Sequence, residues 1–212
     1  WENVVVEPMV PTCDLSVDLG DVSDQQSGTN TGGLNWAINE ANADPNPTTL
    51  CLAENSTYTL TTGYGDFFGN TGIPPITTDV TIEGNGAIIK RDSNLSAHFR
   101  ILGVADTGDL KLHNVTIRNG LLDENAGAGM VIVGGNATLN GTIFAFNRAT
   151  DSEAQGGAIY NYFGNLTITN STLTQNTAAL SAGSIYSWSG LEKLTTVTDS
   201  CIANNSAPDG IS

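Results

Sequence analysis

Three of the seven lysines and arginines in this chain are spaced so that they could lie close together in the folded protein. Lys90 and Arg91 adjoin, and Arg118 follows Arg91 at nearly the length of one internal repeat. A basic side chain beside a group that neutralises a uronate carboxylate is what a polysaccharide lyase requires. We assign no catalytic residue and keep these three as candidates for a lyase. The alternative is that they are solvated charges that protect a β surface from aggregation.

Other reactive side chains do not form recognisable catalytic patterns. No two aspartates adjoin, and the carboxylates are scattered, whereas a pectin hydrolase needs clustered carboxylates as acid and base. His98 and His113 lack partners at zinc-ligand spacing. Acidic residues in expected turns offer oxygen ligands for Ca²⁺, so the metal is left unknown and no other cofactor is expected. These residues are Asp106, Asp109, Asp123, Glu124, Asp151 and Glu153.

Aromatic residues concentrate in two short stretches that lie about one repeat apart. Tyr160, Tyr162 and Phe163 follow one glycine-rich triplet, and Tyr186 and Trp188 follow the next. Grouped aromatic rings suit binding of a sugar or of a partner chain. The candidate ligand patch is therefore Tyr160, Tyr162, Tyr186 and Trp188, with packing on the flank of the fold as the alternative.

The composition excludes one partner class. Seven Lys plus Arg stand against 22 Asp plus Glu, which gives a net charge of −15. A phosphate backbone would be repelled, so we expect no nucleic acid partner. No apolar run reaches the length of a membrane span.

The elements that must position these residues follow from an internal repeat. Segments beginning at Gly108, Gly135, Gly164 and Glu192 alternate apolar and polar residues, as half-buried strands do. The aligned inward columns are Leu110, Ala137, Leu166, Leu194; Leu112, Leu139, Ile168, Thr196; and Ile117, Phe144, Leu173, Cys201. Val80 and Ile82 fit one repeat earlier. A repeat of roughly 28 residues predicts an all-β parallel solenoid of about five coils.

Polar columns accompany the strands. Asn147, Asn176 and Asn204 follow the third inward column, so we expect a structural ladder of stacked amides. The outward column Lys111, Thr138, Thr167, Thr195 is rich in threonine, which keeps ice binding as a minor alternative. Its neighbour, His113, Asn140, Thr169, Val197, interrupts that regular face.

The N-terminal side carries a predicted cap and a predicted disulfide. In "TGGLNWAINEANADPNP" the residues Leu34, Ile38 and Ala41 have helical spacing, which predicts a short amphipathic helix that ends before Pro45 and covers the raw end of the solenoid. Because Cys201 aligns with inward residues, Cys13 and Cys51 remain as the disulfide pair. A disulfide predicts a secreted, extracellular or cell-surface protein.

The first residues hold a strand outside the repeat. Val4, Val5 and Val6 form a candidate assembly strand that would complete the open edge of another copy, giving head-to-tail filaments. A disordered or self-packed terminus is the alternative. We divide the single domain into an N-terminal segment 1–31, a capping helix region 32–49 and a parallel β-helix 50–212.

Several stretches resemble a known family. "TTDVTIEGNGAIIKRDSNLSAHFRILGV", "LHNVTIRNG", "GGAIYN" and "LNWAINEAN" are similar to secreted bacterial β-helix proteins of the choice-of-anchor Q type. The paired FxxN and GGAI signals resemble repeats of the chlamydial polymorphic membrane proteins, which are surface adhesins. The resemblance implies a right-handed parallel β-helix and says little about function.

These observations favour a secreted, non-catalytic surface or matrix protein. We expect it to bind other copies of itself, a surface protein or a glycan. The alternative is a carbohydrate-active enzyme of the pectate-lyase type that uses Lys90, Arg91 and Arg118.

Overall fold

The computed structural model describes residues 12–17, 32–188, 190 and 192–207. Over these residues the chain is mostly β, and it forms a parallel β-solenoid of about five turns with one short helix near the N-terminus. The repeat therefore predicted the fold class correctly. Within the described ranges no helix is long and apolar enough to cross a membrane.

The helix α1 spans Leu34–Ala43. The strands in chain order are β1 Leu15–Val17, β2 Thr48–Leu52, β3 Thr57–Leu60, β4 Gly65–Asp66, β5 Asn70–Thr71, β6 Asp79–Arg91, β7 Leu102–Val104, β8 Asp109–Arg118, β9 Leu121–Leu122, β10 Met130–Val133, β11 Asn136–Asn140, β12 Ile143–Ala145, β13 Arg148–Ala149, β14 Ile159–Tyr162, β15 Asn165–Thr169, β16 Thr172–Thr174, β17 Thr177–Ala178, β18 Ile185–Trp188, β19 Thr195–Thr198 and β20 Cys201–Ala203.

Three parallel sheets run along the solenoid. The largest follows the order β1-β2-β6-β8-β11-β15-β19, and β3, β12, β16 and β20 extend it sideways. A second sheet has the order β18-β14-β10-β7, and a short third sheet has the order β17-β13-β9. Only β4 and β5 pair antiparallel among the described strands, as a small hairpin on the flank. Each strand of the three sheets thus pairs with its equivalent in the next coil, which satisfies the backbone of the interior coils.

Like residues stack inside the solenoid. Val80 pairs with Leu110 and Ile82 with Leu112, as the sequence predicted. Leu139 and Ile168 continue the second of these columns and are fully buried. Because each inward column repeats at every coil, most of the core is one continuous apolar rod.

The predicted capping helix covers the first coil. Leu34, Ile38 and Ala41 are buried, and the helix contacts β1, β2 and β6. The Asn42 side chain clamps the helix to the chain below: its Nδ2 donates to the Pro75 carbonyl at 2.8 Å, and its Oδ1 accepts from the Thr77 amide at 2.9 Å.

The predicted disulfide is present beside the helix. It joins Cys13 and Cys51, whose Cα atoms lie 5.6 Å apart. Cys51 belongs to β2, and Cys13 immediately precedes the segment that leads into β1. The bond therefore ties the first strand of the large sheet to its neighbour.

Pairing in the last coil corrects the sequence alignment by one residue. Ile185 pairs with Ile159 and Thr195 pairs with Leu166, and the turn after β18 is longer than the equivalent turn after β14. The inward residues of this coil are therefore Thr195, Val197 and Ile202, each one later than predicted. Since side chains alternate between faces, the slip moves Leu194 outward, and Leu194 is 67% exposed.

Two predictions are wrong for the same reason. Cys201 pairs with Thr172 on the outer face and is an exposed free cysteine rather than a core residue. Asn204 lies outside the asparagine ladder, with a left-handed φ of 58°. Its neighbour Asn205 takes the ladder position.

The corrected ladder consists of Asn147, Asn176 and Asn205. Asn147 Nδ2 donates to Asn176 Oδ1 at 3.0 Å, and Asn176 Nδ2 donates to Asn205 Oδ1 at 2.9 Å. Each Oδ1 also accepts a backbone amide, from Gly120, Asn147 and Asn176 respectively. The ladder therefore satisfies the polar backbone at a buried corner where the chain leaves the largest sheet.

Candidate functional site

Six aromatic side chains lie together on the outer face of the β7-β10-β14-β18 sheet. They come from two consecutive coils and from the tip of the β4–β5 hairpin. We call them the aromatic strip: Phe68, Tyr160, Tyr162, Phe163, Tyr186 and Trp188.

Strand register explains why these rings meet. Tyr160 pairs with Tyr186, and Tyr162 pairs with Trp188, so parallel pairing stacks residues that are one coil apart in sequence. The Tyr160 and Tyr186 rings are stacked with centroids 5.5 Å apart and planes 6° apart. Tyr162 meets Trp188 edge to face at 5.8 Å. The structure thus brings together the four residues of the predicted ligand patch.

The strip presents ring surface to solvent. Trp188 is 54% exposed, Phe68 is 40% exposed and Phe163 is 39% exposed. By contrast Tyr160 is 8% exposed, and its burial, with the neighbouring Tyr186 and Tyr162, raises the pKa of its phenol. A buried ring at the centre and exposed rings at the margins give a firm aromatic platform.

A buried arginine supports the hairpin that supplies Phe68. Phe68 has a left-handed φ of 51°, and its ring stacks on Tyr160 and Tyr162 at 6.0 Å. Its carbonyl accepts a hydrogen bond of 2.6 Å from Arg100 Nη2. Arg100 therefore positions the hairpin tip and, through it, one end of the strip.

Arg100 carries its charge in an unusual environment. Burial lowers the pKa of its guanidinium to about 9, and the Glu124 and Asp66 carboxylates oppose that shift. Within the described residues its Nε and Nη1 have no hydrogen-bond partner. The two carboxylates offset part of the cost of burying the charge, and the hydrogen bond to Phe68 ties that charge to the strip.

A cavity of about 420 Å³ adjoins the strip. Phe68 and Tyr160 line its aromatic side. The other lining residues are polar or small: Glu124, Asn125, Ala126, Asp151, Glu153 and Gln155. Rings beside carboxylate and amide oxygens can stack on a sugar and accept hydrogen bonds from its hydroxyl groups. The carboxylates would repel an acidic sugar at this place.

The three lyase candidates lie at a different corner of the solenoid. Lys90 and Arg118 are paired residues of β6 and β8 and lie on the outer face. Arg91, at the end of β6, is 4% exposed and lines a cavity of about 180 Å³ with Arg148 and Phe146. The structure therefore pairs Lys90 with Arg118 on the outer face and places Arg91 in the wall of the cavity, where a fourth basic residue, Arg148, joins it.

Arg91 has a structural task at this corner. Its Nη1 donates to the carbonyls of Asp92, Leu95 and Ala97 at 2.9, 3.1 and 3.2 Å, and its Nε donates to the Asn119 carbonyl at 3.2 Å. Burial lowers the pKa of Arg91, and the nearby Asp92 opposes that shift. A guanidinium held by four carbonyls closes the loop after β6 and is poorly placed to accept a proton.

The threonine column is longer than the sequence alignment showed. With the corrected register it contains Thr49, Thr81, Lys111, Thr138, Thr167 and Thr196. Ion pairs of Lys111 with Asp79 and of His113 with Glu83 cross this face. These charged groups interrupt the hydroxyl array of the column.

The acidic and histidine candidates do not form a metal site within the part of the chain that the structure describes. Among the described residues no group of three or more histidine, cysteine or acidic side chains is placed to hold a metal ion. His98 instead pairs with Asp123, with Nδ1 and Oδ2 2.8 Å apart. Val4, Val5 and Val6, the predicted assembly strand, lie outside the described residues.

Sequence reasoning missed Phe68, Arg100 and Arg148 at these sites. Phe68 and Arg100 reach the strip through the β4–β5 hairpin, which is outside the repeat, so no periodic signal marks them. Arg148 is one coil from Leu121 in the third sheet, whose strands are too short to show alternation. Comparison with protein-family models, with curated protein sequences and with solved structures found no match to this chain.

Proposed function

We propose that this protein is a secreted or surface-exposed, non-catalytic β-solenoid that adheres to a glycan through the aromatic strip. The observation that carries the proposal is the strip itself, six rings in contact on one face beside a polar cavity. A stack of rings this exposed is costly for a soluble surface unless it meets a ligand. The Cys13–Cys51 disulfide supports an oxidising compartment.

The type of solenoid is part of this proposal. The resemblance to β-helix proteins of the choice-of-anchor Q type supports a right-handed β-helix. The rigid stack of coils gives the strip a fixed geometry, so little entropy is lost when a ligand binds.

The ligand class follows from the cavity beside the strip. Glu124, Asp151 and Glu153 line it and belong to a chain of net charge −15. An acidic polysaccharide would be repelled there, whereas a neutral or amino sugar would not. We therefore expect a neutral or amino-sugar glycan to bind across the strip.

The test is a binding panel with ring-truncation variants. Soluble chitin, cellulose, xylan and mannan oligosaccharides are titrated into the protein by calorimetry, and tryptophan emission is followed in parallel. We expect W188A and Y162A each to weaken binding about 2- to 12-fold, the range for a stacked aromatic contact. The control is L194A, because Leu194 is an exposed apolar residue outside the strip.

Two results would contradict the proposal. In the first, no oligosaccharide of the panel binds the wild type. In the second, W188A and Y162A bind as tightly as L194A does. If the variants instead lose self-association seen by sedimentation in the wild type, the strip joins copies of this chain, and the glycan proposal fails.

A further inference from the structure

The basic residues of this acidic chain are unevenly distributed. Of the seven lysines and arginines, four lie around the corner between the largest sheet and the third sheet. We call this group the basic corner: Lys90, Arg91, Arg118 and Arg148. The other three are engaged elsewhere, Lys111 by Asp79, Arg100 below the aromatic strip and Lys193 by the Gly134 carbonyl at 3.5 Å.

No ion pair within the described residues neutralises the basic corner. The ion pairs of the described residues all involve other basic side chains. Asp92 is near Arg91, but its carboxylate accepts the Asn94 amide at 3.0 Å. Lys90 and Arg118 are opposite each other on adjacent strands, an arrangement that repels. Arg91 is engaged by four carbonyls, but Lys90, Arg118 and Arg148 are at least partly exposed and form no salt bridge in the described part of the chain. In a chain with 22 acidic residues, these three side chains are available to an external anion.

The corner also has the shape of a small binding site. A cavity of about 180 Å³ lies at this corner, with Arg91, Asn119 and Arg148 in its lining. Phe146 lines it and is 45% exposed. The Arg118 guanidinium lies 5.1 Å from the centroid of that ring, which orients it. Arg148 is exposed and lines the cavity. Asn119 Oδ1 accepts a hydrogen bond from Arg118 Nε at 3.4 Å.

We propose that the basic corner binds the oxyanion of an acidic glycan, a sulfate or carboxylate group, at a second site distinct from the aromatic strip. Arg118 and Arg148 supply guanidinium groups whose paired N–H donors match two oxygens of such a group. Arg91 holds the loop at the rim, and Lys90 adds a point charge. The net charge of −15 disfavours a nucleic acid as the source of this oxyanion.

The experiment compares binding of three probes of equal length: a heparin-derived hexasaccharide, a hexamer of galacturonate and a neutral hexasaccharide of glucose. Variants are R148Q, R118Q and R118K, and the charge-matched control is K193Q. We expect R148Q and R118Q each to weaken binding of the preferred acidic probe about tenfold or more, because each removes a charge-assisted hydrogen bond. R118K should recover part of the loss, since it restores charge without the planar fork.

The two acidic probes separate the two sources of the oxyanion. Tighter heparin binding assigns sulfate, and tighter galacturonate binding assigns carboxylate. W188A should leave both affinities unchanged, so failure of the aromatic strip and failure of the basic corner are distinguishable. Arg148 is exposed, so R148Q should fold like the wild type, which its thermal unfolding checks.

The proposal is overturned if the wild type binds neither acidic probe, or if R148Q and R118Q bind the acidic probes as tightly as the wild type does. A specific site at the basic corner is also ruled out if K193Q weakens binding as much as R148Q does. The loss of affinity would then reflect the change in net charge and not the position of the arginine. Equal affinity for a single-stranded DNA of the same charge would overturn the glycan assignment. Cleavage of galacturonate with an unsaturated end would replace simple binding by a lyase reaction.

Discussion

At the scale of single residues, the asparagine ladder stabilises one corner of the last three described coils. Asn176 illustrates the arrangement, since its Nδ2 donates to the Phe144 carbonyl and to Asn205 Oδ1, both at 2.9 Å. Its Oδ1 accepts from both nitrogens of Asn147 at 3.0 Å. One buried side chain thus satisfies polar groups of both neighbouring coils.

We expect Asn176→Ala to lower the free energy of unfolding by about 3 kcal/mol, because it leaves several buried polar groups without partners. The matched control is Asn140→Ala, which removes an exposed amide bonded to Asn170 Nδ2 at 3.1 Å and should cost about 0.5 kcal/mol. Urea denaturation of the two variants measures both values. If both variants lowered the free energy of unfolding equally, the buried ladder would contribute no more to stability than an exposed amide does.

At the scale of elements, the N-terminal side of the solenoid depends on a helix held within a covalent loop. The loop between Cys13 and Cys51 contains α1, whose buried face covers the first coil. The Tyr58 hydroxyl donates to the Val17 carbonyl at 2.7 Å and so joins β1 to β3 across the same end. Helix, disulfide and β1 therefore stabilise one another.

Reduction of the Cys13–Cys51 disulfide should lower the free energy of unfolding by roughly 4 kcal/mol, from loop entropy over a sequence separation of 38. The experiment uses the C201S background, because Cys201 is an exposed thiol that would exchange. Hydrogen exchange should speed up first in residues 34–43. A uniform increase along all coils would contradict a local role of the disulfide.

At the scale of the whole molecule, we expect the stability of each coil to depend on its contacts with the neighbouring coils. Each coil contacts its two neighbours, so the protein approximates a one-dimensional stack. Burial along one inward column reflects this: Leu112, Leu139 and Ile168 are fully buried, whereas Val197 in the last described coil is 38% exposed. By contrast, the coil that contains β6 has neighbours on both sides, because β6 contacts both β2 and β8.

We expect Ile168→Ala to release amide protection in residues 165–206 before residues 79–118. The matched variant Ile82→Ala occupies the same inward column near the helix, and it should release both regions. Each change creates a cavity that costs about 2 to 5 kcal/mol. Hydrogen exchange with mass spectrometry reads the two regions separately. Identical patterns in the two variants would show that all coils unfold together.

The amino-acid sequence alone determined the solenoid, because alternation along strands and a regular coil-length period describe local structure and its repetition. It also determined the capping helix, through the apolar spacing of Leu34, Ile38 and Ala41. The candidate patch was visible too, since Tyr160 and Tyr186 occupy equivalent positions of consecutive coils.

Only the tertiary structure decided the details that depend on loop length and on contacts outside the repeat. A one-residue difference in the last coil reverses which side chains face inward, and "LTTVT" alternates too weakly to reveal it. This one-residue shift places Cys201 on the surface and places Asn205 in the ladder position. Likewise, Phe68 reaches the aromatic strip, and Arg148 the basic corner, because the chain folds distant segments together. Residue spacing encodes what is periodic, whereas the sites arise where aperiodic turns and a hairpin meet the periodic surface.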